Sequence, residues 1–441
     1  MNNILLHLYN QYKIYVFTGL CLTILTSTSL SRGLMPSEQA RSANDFVDSI
    51  GVAVHLSYRD TGYDKYNEII KPRLQELGVS HIRDGVRLED VDTQQKFLDL
   101  AKIGIKSTLV MDPRDENTGS RAVNVVKSIS ESVEAVEGPN EWEIQPELKY
   151  AGQSFPKGVR QFQAELYSAI KSDPSTAYLP VLSPSILDPA QASKLGRVPC
   201  DFFNIHNYPR GEWGIPVNEM KWGSPVDELD NRLEINKIIC GDKPVIVTET
   251  GYNTSIIDPN NFGVSEQVAA KYLLRMFLEY FNLKIKRFYA YELIDLKPGF
   301  QHDKFGLLRS DGSPKPSFIA LKNLILILQE PNPKNSSSFI ARSLDYKLQG
   351  NINNIKHTLM KKNNGTFYLI LWQEVPSFEH KTKTSINVPE VPLKILLNTP
   401  IIQATTYLPV KSNVPINQYK NPKQLELKVP DNPLVIELIP S

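Results

Sequence analysis

The chain has 441 residues, 41 % of them apolar and 22 % charged, a composition that excludes a disordered or fibrous protein. Its 49 basic and 48 acidic side chains leave a net charge of +1, which gives nucleic acid no general electrostatic handle. Three cysteines, Cys21, Cys200 and Cys240, are too few for a disulfide scaffold and form no C-x-x-C.

In chain order, Lys13 precedes an apolar run from Ile14 to about Leu30, followed by Ser31 and Arg32. A basic flank, an apolar stretch and small residues after it suggest a secretory signal peptide. The run also approaches the ~18–20 residues that a span needs, so an uncleaved membrane anchor is the rival reading. A helix buried in the fold is the third. Residues 1–44 are thus expected to be a signal peptide or membrane anchor with its leader. Such a protein is secreted, periplasmic or at the cell surface, and membrane-associated where the segment is kept.

From about residue 45 to 330, short apolar strands alternate with helix-like stretches. The expected strands are 50–54, 79–83, 105–110, 133–138, 178–183, 202–206, 244–249 and 286–292. Helical patterns lie between them at 66–78, 93–104, 158–172 and 265–282, the last opening on Ser265 as a helix cap. Buried parallel strands read as apolar runs because helices cover their outer faces. Eight such units predict a (β/α)8 TIM barrel. An open doubly wound sheet is the alternative, but no G-x-G-x-x-G or Walker-type loop follows an early strand. Cys200 and Cys240 each precede one of the strands. A disulfide between them and two separate buried thiols are both open.

The turn-rich stretch QEPNPKNSSS (329–338) ends the helical periodicity. Strand-like segments follow: HTLMK, TFYLILWQ, KTSINV, LKILLN, ATTYLP, LELKV and LVIELI, with a hairpin turn at KKNNGTF. Residues 331–441 are expected to be a small antiparallel β-sandwich domain. It holds 13 basic and 7 acidic residues, a charge of +6 against −5 for the remainder. That excess reads as a solvated face.

VEAVEGPNEWE (133–143) puts Asn140 and Glu141 just past the carboxyl end of the fourth strand. PVIVTETGYN (244–253) puts Glu249 at the carboxyl end of the seventh. All carboxyl ends of a barrel open on one face, where chemistry is built. Strands four and seven stand on opposite sides of the ring, so the two glutamates can face each other. Paired carboxylates suit glycosidic bond cleavage, one protonating the leaving oxygen and the other attacking or stabilising the anomeric carbon.

On these residues the chain resembles clan A glycoside hydrolases, over about residues 45–330. The appended sheet domain is similar to those of cellulase-like and beta-xylosidase-like families. The resemblance implies that Glu141 is the acid/base, Glu249 the nucleophile, and the outcome retaining. It also implies that Asn140 bonds the sugar 2-hydroxyl and that Arg83, ending the second strand in SHIRDG, lies beside Glu249. His206 and Tyr208 in NIHNYP resemble the clan's sixth-strand pair, with Tyr208 on the nucleophile and His206 on sugar or a catalytic carboxylate. Tyr291 stands where many members have Trp, and Glu292 beside it either contacts a hydroxyl or pairs with a base. His55 and Asp112 face the same rim as sugar-binding candidates. Trp142, Trp213 and Trp222 are candidate stacking platforms, with ordinary packing as the alternative.

No cofactor is implied. The seven histidines form no H-E-x-x-H, which leaves metal binding unsupported, and no G-x-S-x-G supports a serine nucleophile. The expected partner is a carbohydrate with β-linked sugars. An inactive sugar-binding scaffold and a transglycosylase using the same two glutamates are the alternatives.

Overall fold

The computed structural model describes residues 37–209, 229–256, 263–296, 304–330 and 339–441. The apolar run at 14–30 and the candidates Trp213 and Trp222 lie outside the described residues. Among those described, no helix is long and apolar enough to cross a membrane.

Eight parallel strands form the first layer: β1 (Ile50–Ala53), β2 (His81–Gly85), β3 (Lys106–Val110), β4 (Val133–Glu137), β5 (Val181–Leu182), β6 (Phe203–His206), β7 (Val245–Thr250) and β8 (Arg287–Ala290). Pairing runs β5-β4-β3-β2-β1-β8-β7-β6. A parallel bridge between Leu182 and Phe202, with Ser183 N–H donating to the Phe202 carbonyl at 3.0 Å, joins β5 to β6 and completes the ring. The barrel interior is plugged by Ala135, Leu182, Ile246 and Tyr289. Gly51 faces this plug because a Cβ there would stand 2.4 Å from the Tyr289 ring. Further along β4 and β7, Glu137 and Thr248 replace apolar side chains, so the floor of the barrel mouth is polar.

The helices are α1 (Ala43–Asp48), α2 (Lys71–Leu77), α3 (Val91–Lys102), α4 (Gly119–Ser128), α5 (Lys157–Ser172), α6 (Ala192–Leu195), α7 (Leu229–Cys240), α8 (Glu266–Asn282) and α9 (Pro316–Leu328). Ser265 caps α8 as its residue type predicts, its hydroxyl accepting from Val268 N–H at 3.3 Å. A helix on a barrel ordinarily keeps a solvated face. α8 is buried almost all round because the β domain covers its outer side. There the fully buried Arg275 donates to the carbonyls of Val375 and Asp431 and to Glu374.

The second layer is antiparallel: β9 (Tyr346–Gly350), β10 (Ile355–Lys361), β11 (Phe367–Gln373), β12 (Val391–Leu397), β13 (Ile401–Tyr407), β14 (Asn417–Lys420), β15 (Gln424–Val429) and β16 (Leu434–Pro440). β9, β12 and β15 form one sheet, and β14-β13-β16-β11-β10 the other. Their facing sides share a core that includes Leu369, Leu371, Ile395 and Leu427. The alternate residues Tyr368, Ile370 and Trp372 of β11 join the barrel's core instead. Both faces of β11 are therefore buried, which is why it reads as an unbroken apolar run.

Two local expectations differ. KTSINV contributes only the two-residue pairing of Thr384–Ser385 with Phe378–Glu379. The leader was expected to run to residue 44, but Arg41–Ser42 pairs in parallel with Met360 and Lys361 of β10, and Glu38–Gln39 pairs with Ser343–Leu344. The edge of β10 has unpaired backbone groups, and this segment satisfies part of them.

Cys200 and Cys240 form a disulfide, with Cα atoms 6.0 Å apart and a sequence separation of 40. It brackets β6, which carries His206. Closing a loop of that length constrains the unfolded chain by about 4 kcal/mol in the chain-entropy model. Cys200→Ser is expected to lower the unfolding free energy by about 2–4 kcal/mol, read by urea unfolding with and without reductant.

Candidate active site

The site stands at the carboxyl ends of the strands. β4 ends in Glu137 and turns through Gly138, where a Cβ would meet the side-chain Oε1 of Gln163 on α5 at 2.1 Å. The backbone then places Glu141 at φ 52°, in the left-handed region. That conformation costs a non-glycine residue on the order of 1–2 kcal/mol. It is held by Asn140 N–H donating to Asp112 Oδ2 at 3.1 Å and Glu141 N–H donating to the Ser185 carbonyl at 3.3 Å.

Glu249 reaches the mouth by a different device. Ile205 pairs with Val247 but His206 pairs with Glu249, and on the other side Phe288 pairs with Val247 but Ala290 with Thr250. β7 therefore carries one extra residue, a β-bulge. Thr248 and Glu249 both turn inward as a result. Thr248 Oγ1 donates to Asn204 at 2.6 Å, while Thr250 Oγ1 points out to Asn207 and α8.

Arg83 joins the parts. Its Nε and Nη2 donate to both oxygens of the fully buried Glu137 at 2.7 Å each. Nη1 donates to Glu249 Oε1 at 2.5 Å, and Nη2 also to Asn140 Oδ1 at 2.6 Å. Tyr208 OH donates to Glu249 Oε2 at 2.6 Å. Burial works against the charged form of Glu249. His206, Arg83 and the Tyr208 hydrogen bond outweigh it and hold this carboxyl below the usual range.

His206 Nδ1 is 2.5 Å from Glu141 Oε1 and 3.6 Å from Glu249 Oε2. Its Nε2 is 3.1 Å from Thr248 Oγ1. Because the Thr248 proton is spent on Asn204, Nε2–H is the donor there, and Nδ1 faces Glu141 with one proton to share between them. Burial disfavours the imidazolium, but the charges of Glu249 and Glu141 lift His206 above its ordinary value. One oxygen from each glutamate and a His206 nitrogen all lie within 4.8 Å of one another. Three such groups match a divalent cation in number. Here Arg83 and Tyr208 take both Glu249 oxygens and His206 takes Glu141 Oε1.

On the opposite wall, the His55 ring stacks on Tyr58 at 4.5 Å and meets Tyr63 and Tyr291 edge-on. Burial pushes His55 down to about 4, so it is neutral. Its Nε2 lies 3.5 Å from the fully buried Glu292, which accepts from Tyr63 OH at 2.9 Å. Burial pushes Glu292 well above the carboxylate range, making it a neutral acid. The Tyr291 ring stands 6.1 Å from Tyr208 and 5.8 Å from Phe305, an aromatic floor at the place where a Trp was expected to be replaced.

Two candidates take other parts. Trp142 is 2 % exposed, and its indole N–H donates to Asp112 Oδ2 at 3.1 Å, so its ring is core and offers no stacking face. Asp112 is not a free sugar ligand. Arg114 donates to both of its oxygens at 2.8 Å, with Trp142 and Asn140 N–H adding further bonds. It braces the loop that presents Glu141. Sequence reasoning passed over Glu137, Asn204, Thr248, Tyr58 and Tyr63. Glu137 carried a usable signal: an acid inside a fully buried parallel strand must be paired.

No protein-family model and no curated protein sequence matches the chain. Among solved structures, it is similar to a family 39 glycoside hydrolase from Bacteroides cellulosilyticus WH2, with a TM-score of 0.57 and 17 % identity over 89 % of this chain and 82 % of that one. It is also similar to a glucosidase from Croceicoccus marinus, with a TM-score of 0.58 and 12 % identity over 92 % and 97 %. At these identities the likeness is one of fold: a (β/α)8 barrel of the kind glycoside hydrolases use, with an acidic cluster at its mouth.

Proposed function

We propose that the chain is a retaining glycoside hydrolase acting on β-linked oligo- or polysaccharides. The observation that carries this reading is the convergence of Glu141, Glu249 and His206 within 4.8 Å at the barrel mouth. A retaining displacement wants carboxyl groups about 5–5.5 Å apart, whereas inversion needs about 6.5–9.5 Å to admit a water between them. One oxygen of each glutamate lies within 4.8 Å of the other, which supports the shorter spacing.

In the first step a Glu249 oxygen bonds to the anomeric carbon as the glycosidic C–O bond breaks. Glu141 passes its proton to the departing oxygen. In the second, water attacks the anomeric carbon, Glu141 takes a water proton, and the Glu249 ester is released. Arg83 and Tyr208 keep Glu249 ionised and aimed. Asn140, with its carbonyl oxygen committed to Arg83, has its NH2 left for a sugar hydroxyl. The aromatic floor of Tyr291 and the neutral His55–Glu292 wall suit a hydroxylated sugar face. The Cys200–Cys240 disulfide supports an oxidising compartment, in keeping with secretion.

The test varies the leaving group. Glu141→Ala is expected to cost about 10²–10⁴-fold on an oligosaccharide, whose leaving oxygen needs a proton. It should cost far less in the first step on a dinitrophenyl glycoside, whose leaving group departs as a stable anion. Equal losses on both would remove Glu141 from the acid role. The anomer released first, followed by NMR, reports retention, and products longer than the substrate would reveal a sugar acceptor in place of water.

A further inference from the structure

The mechanism leaves one acid beside the site unused. Glu143 follows Glu141 by two residues and points away from the pocket, into the loop after β5. Its Oε1 accepts backbone N–H bonds from Leu187 at 2.5 Å and Asp188 at 3.2 Å. Its Oε2 is buried and has no hydrogen-bond partner among the described residues. The clasped loop carries Ser185, whose carbonyl receives Glu141 N–H and whose backbone bridges Asn140. One side chain therefore ties the strand that presents the acid/base to the neighbouring loop that sets its backbone.

We infer that Glu143 is a positioning residue for Glu141: it clasps the 185–188 loop against the acid/base turn and so fixes the backbone from which Glu141 acts. This rests on the glycosidase reading of Glu141. A surface glutamate capping two amides would have both oxygens solvated. This one has an orphaned buried oxygen, so its charged form is poorly supported. Burial, with the nearby Glu141 charge adding, pushes Glu143 up to about 7. Among the described residues, three other ionisable groups bear on this clasp. Asp188 is engaged in capping Ala190 N–H at 2.9 Å. The buried Arg232 of α7 donates to the Leu187 carbonyl at 2.8 Å. His206 is committed to Glu141.

The experiment compares wild type, Glu143→Gln and Glu143→Ala in full-length protein. Gln keeps the carbonyl acceptor for the clasp and removes the charge. Above about pH 7, where the wild-type clasp carries a charge with one oxygen unsupported, kcat of Glu143→Gln is expected to exceed wild type by about threefold or more. Glu143→Ala, which loses the clasp, is expected to fall at least about tenfold below Glu143→Gln in kcat. A second readout needs no turnover. A folded pKa above the unfolded ~4.3 means the group's contribution to stability is full below that value and is lost as pH rises through about 7. The Tm of Glu143→Gln should therefore gain on wild type across that window and hold its lead above it. With an active wild type, equal kcat in folded Glu143→Gln and Glu143→Ala overturns the proposal alone. A wild type without turnover on any aryl glycoside overturns the glycosidase reading and takes this proposal with it.

Discussion

Glu249→Gln is expected to lower kcat on an aryl β-glycoside by about 10⁴-fold or more, with the protein still folded. The amide cannot form the covalent glycosyl bond. It also meets donors on both sides, since Arg83 Nη1 and Tyr208 OH each approach one oxygen of Glu249. The Gln NH2 must face one of them, and Tyr208 can answer by turning its hydroxyl. Arg83 keeps its two bonds to Glu137, so the fold survives. A 2-deoxy-2-fluoro glycoside should accumulate as a covalent adduct on wild type, seen by mass spectrometry on the peptide containing Glu249, and not on the variant. Turnover within tenfold of wild type would remove Glu249 from the nucleophile role.

Arg83→Ala is expected to be the most destabilising single change in the barrel. The guanidinium is the positive charge between Glu137, fully buried, and Glu249, 7 % exposed. Removing one partner of a buried ion network leaves the other charges unsatisfied, at a cost of about 3–5 kcal/mol. Arg83→Lys restores the charge but not the fork, so it cannot bond both oxygens of Glu137 while reaching Glu249 and Asn140. It should recover only part of the loss. The pH dependence has a definite sign. Glu249 sits below its ordinary value in the folded state. The stability this contributes is present above the unfolded pKa of about 4.3 and is lost as pH falls through the folded value. The gap between wild type and Arg83→Ala is therefore widest near neutrality and narrows in acid. Urea unfolding at several pH values measures it, and a gap under about 1 kcal/mol at neutral pH would show that the charges are compensated elsewhere.

Much of the barrel is legible in the sequence because a strand covered on both sides must be apolar throughout, and a helix on its outside must repeat near 3.6 residues. Both signals are local. They suffice to find eight strands and to place Asn140, Glu141 and Glu249 at carboxyl ends. The same reasoning left Trp142 open between a sugar platform and ordinary packing, and its N–H bonded to Asp112 decides for packing. It passed over Glu137 because the strand was read for its apolar residues alone. Pairing Arg41–Ser42 against β10 across a long sequence distance was beyond it, and it left the Cys200–Cys240 pairing open against two separate thiols.

By itself the sequence determined the class of fold, the order of its units, and which acids stand at strand ends, since backbone periodicity and side-chain polarity are written residue by residue. Only the tertiary structure decided where those acids point. Strict alternation along β7 would turn Glu249 away from Thr248's side, and the extra residue in that strand turns both inward. A bulge is a property of register between neighbouring strands, and register is settled when distant segments pack, by energies that no single segment carries.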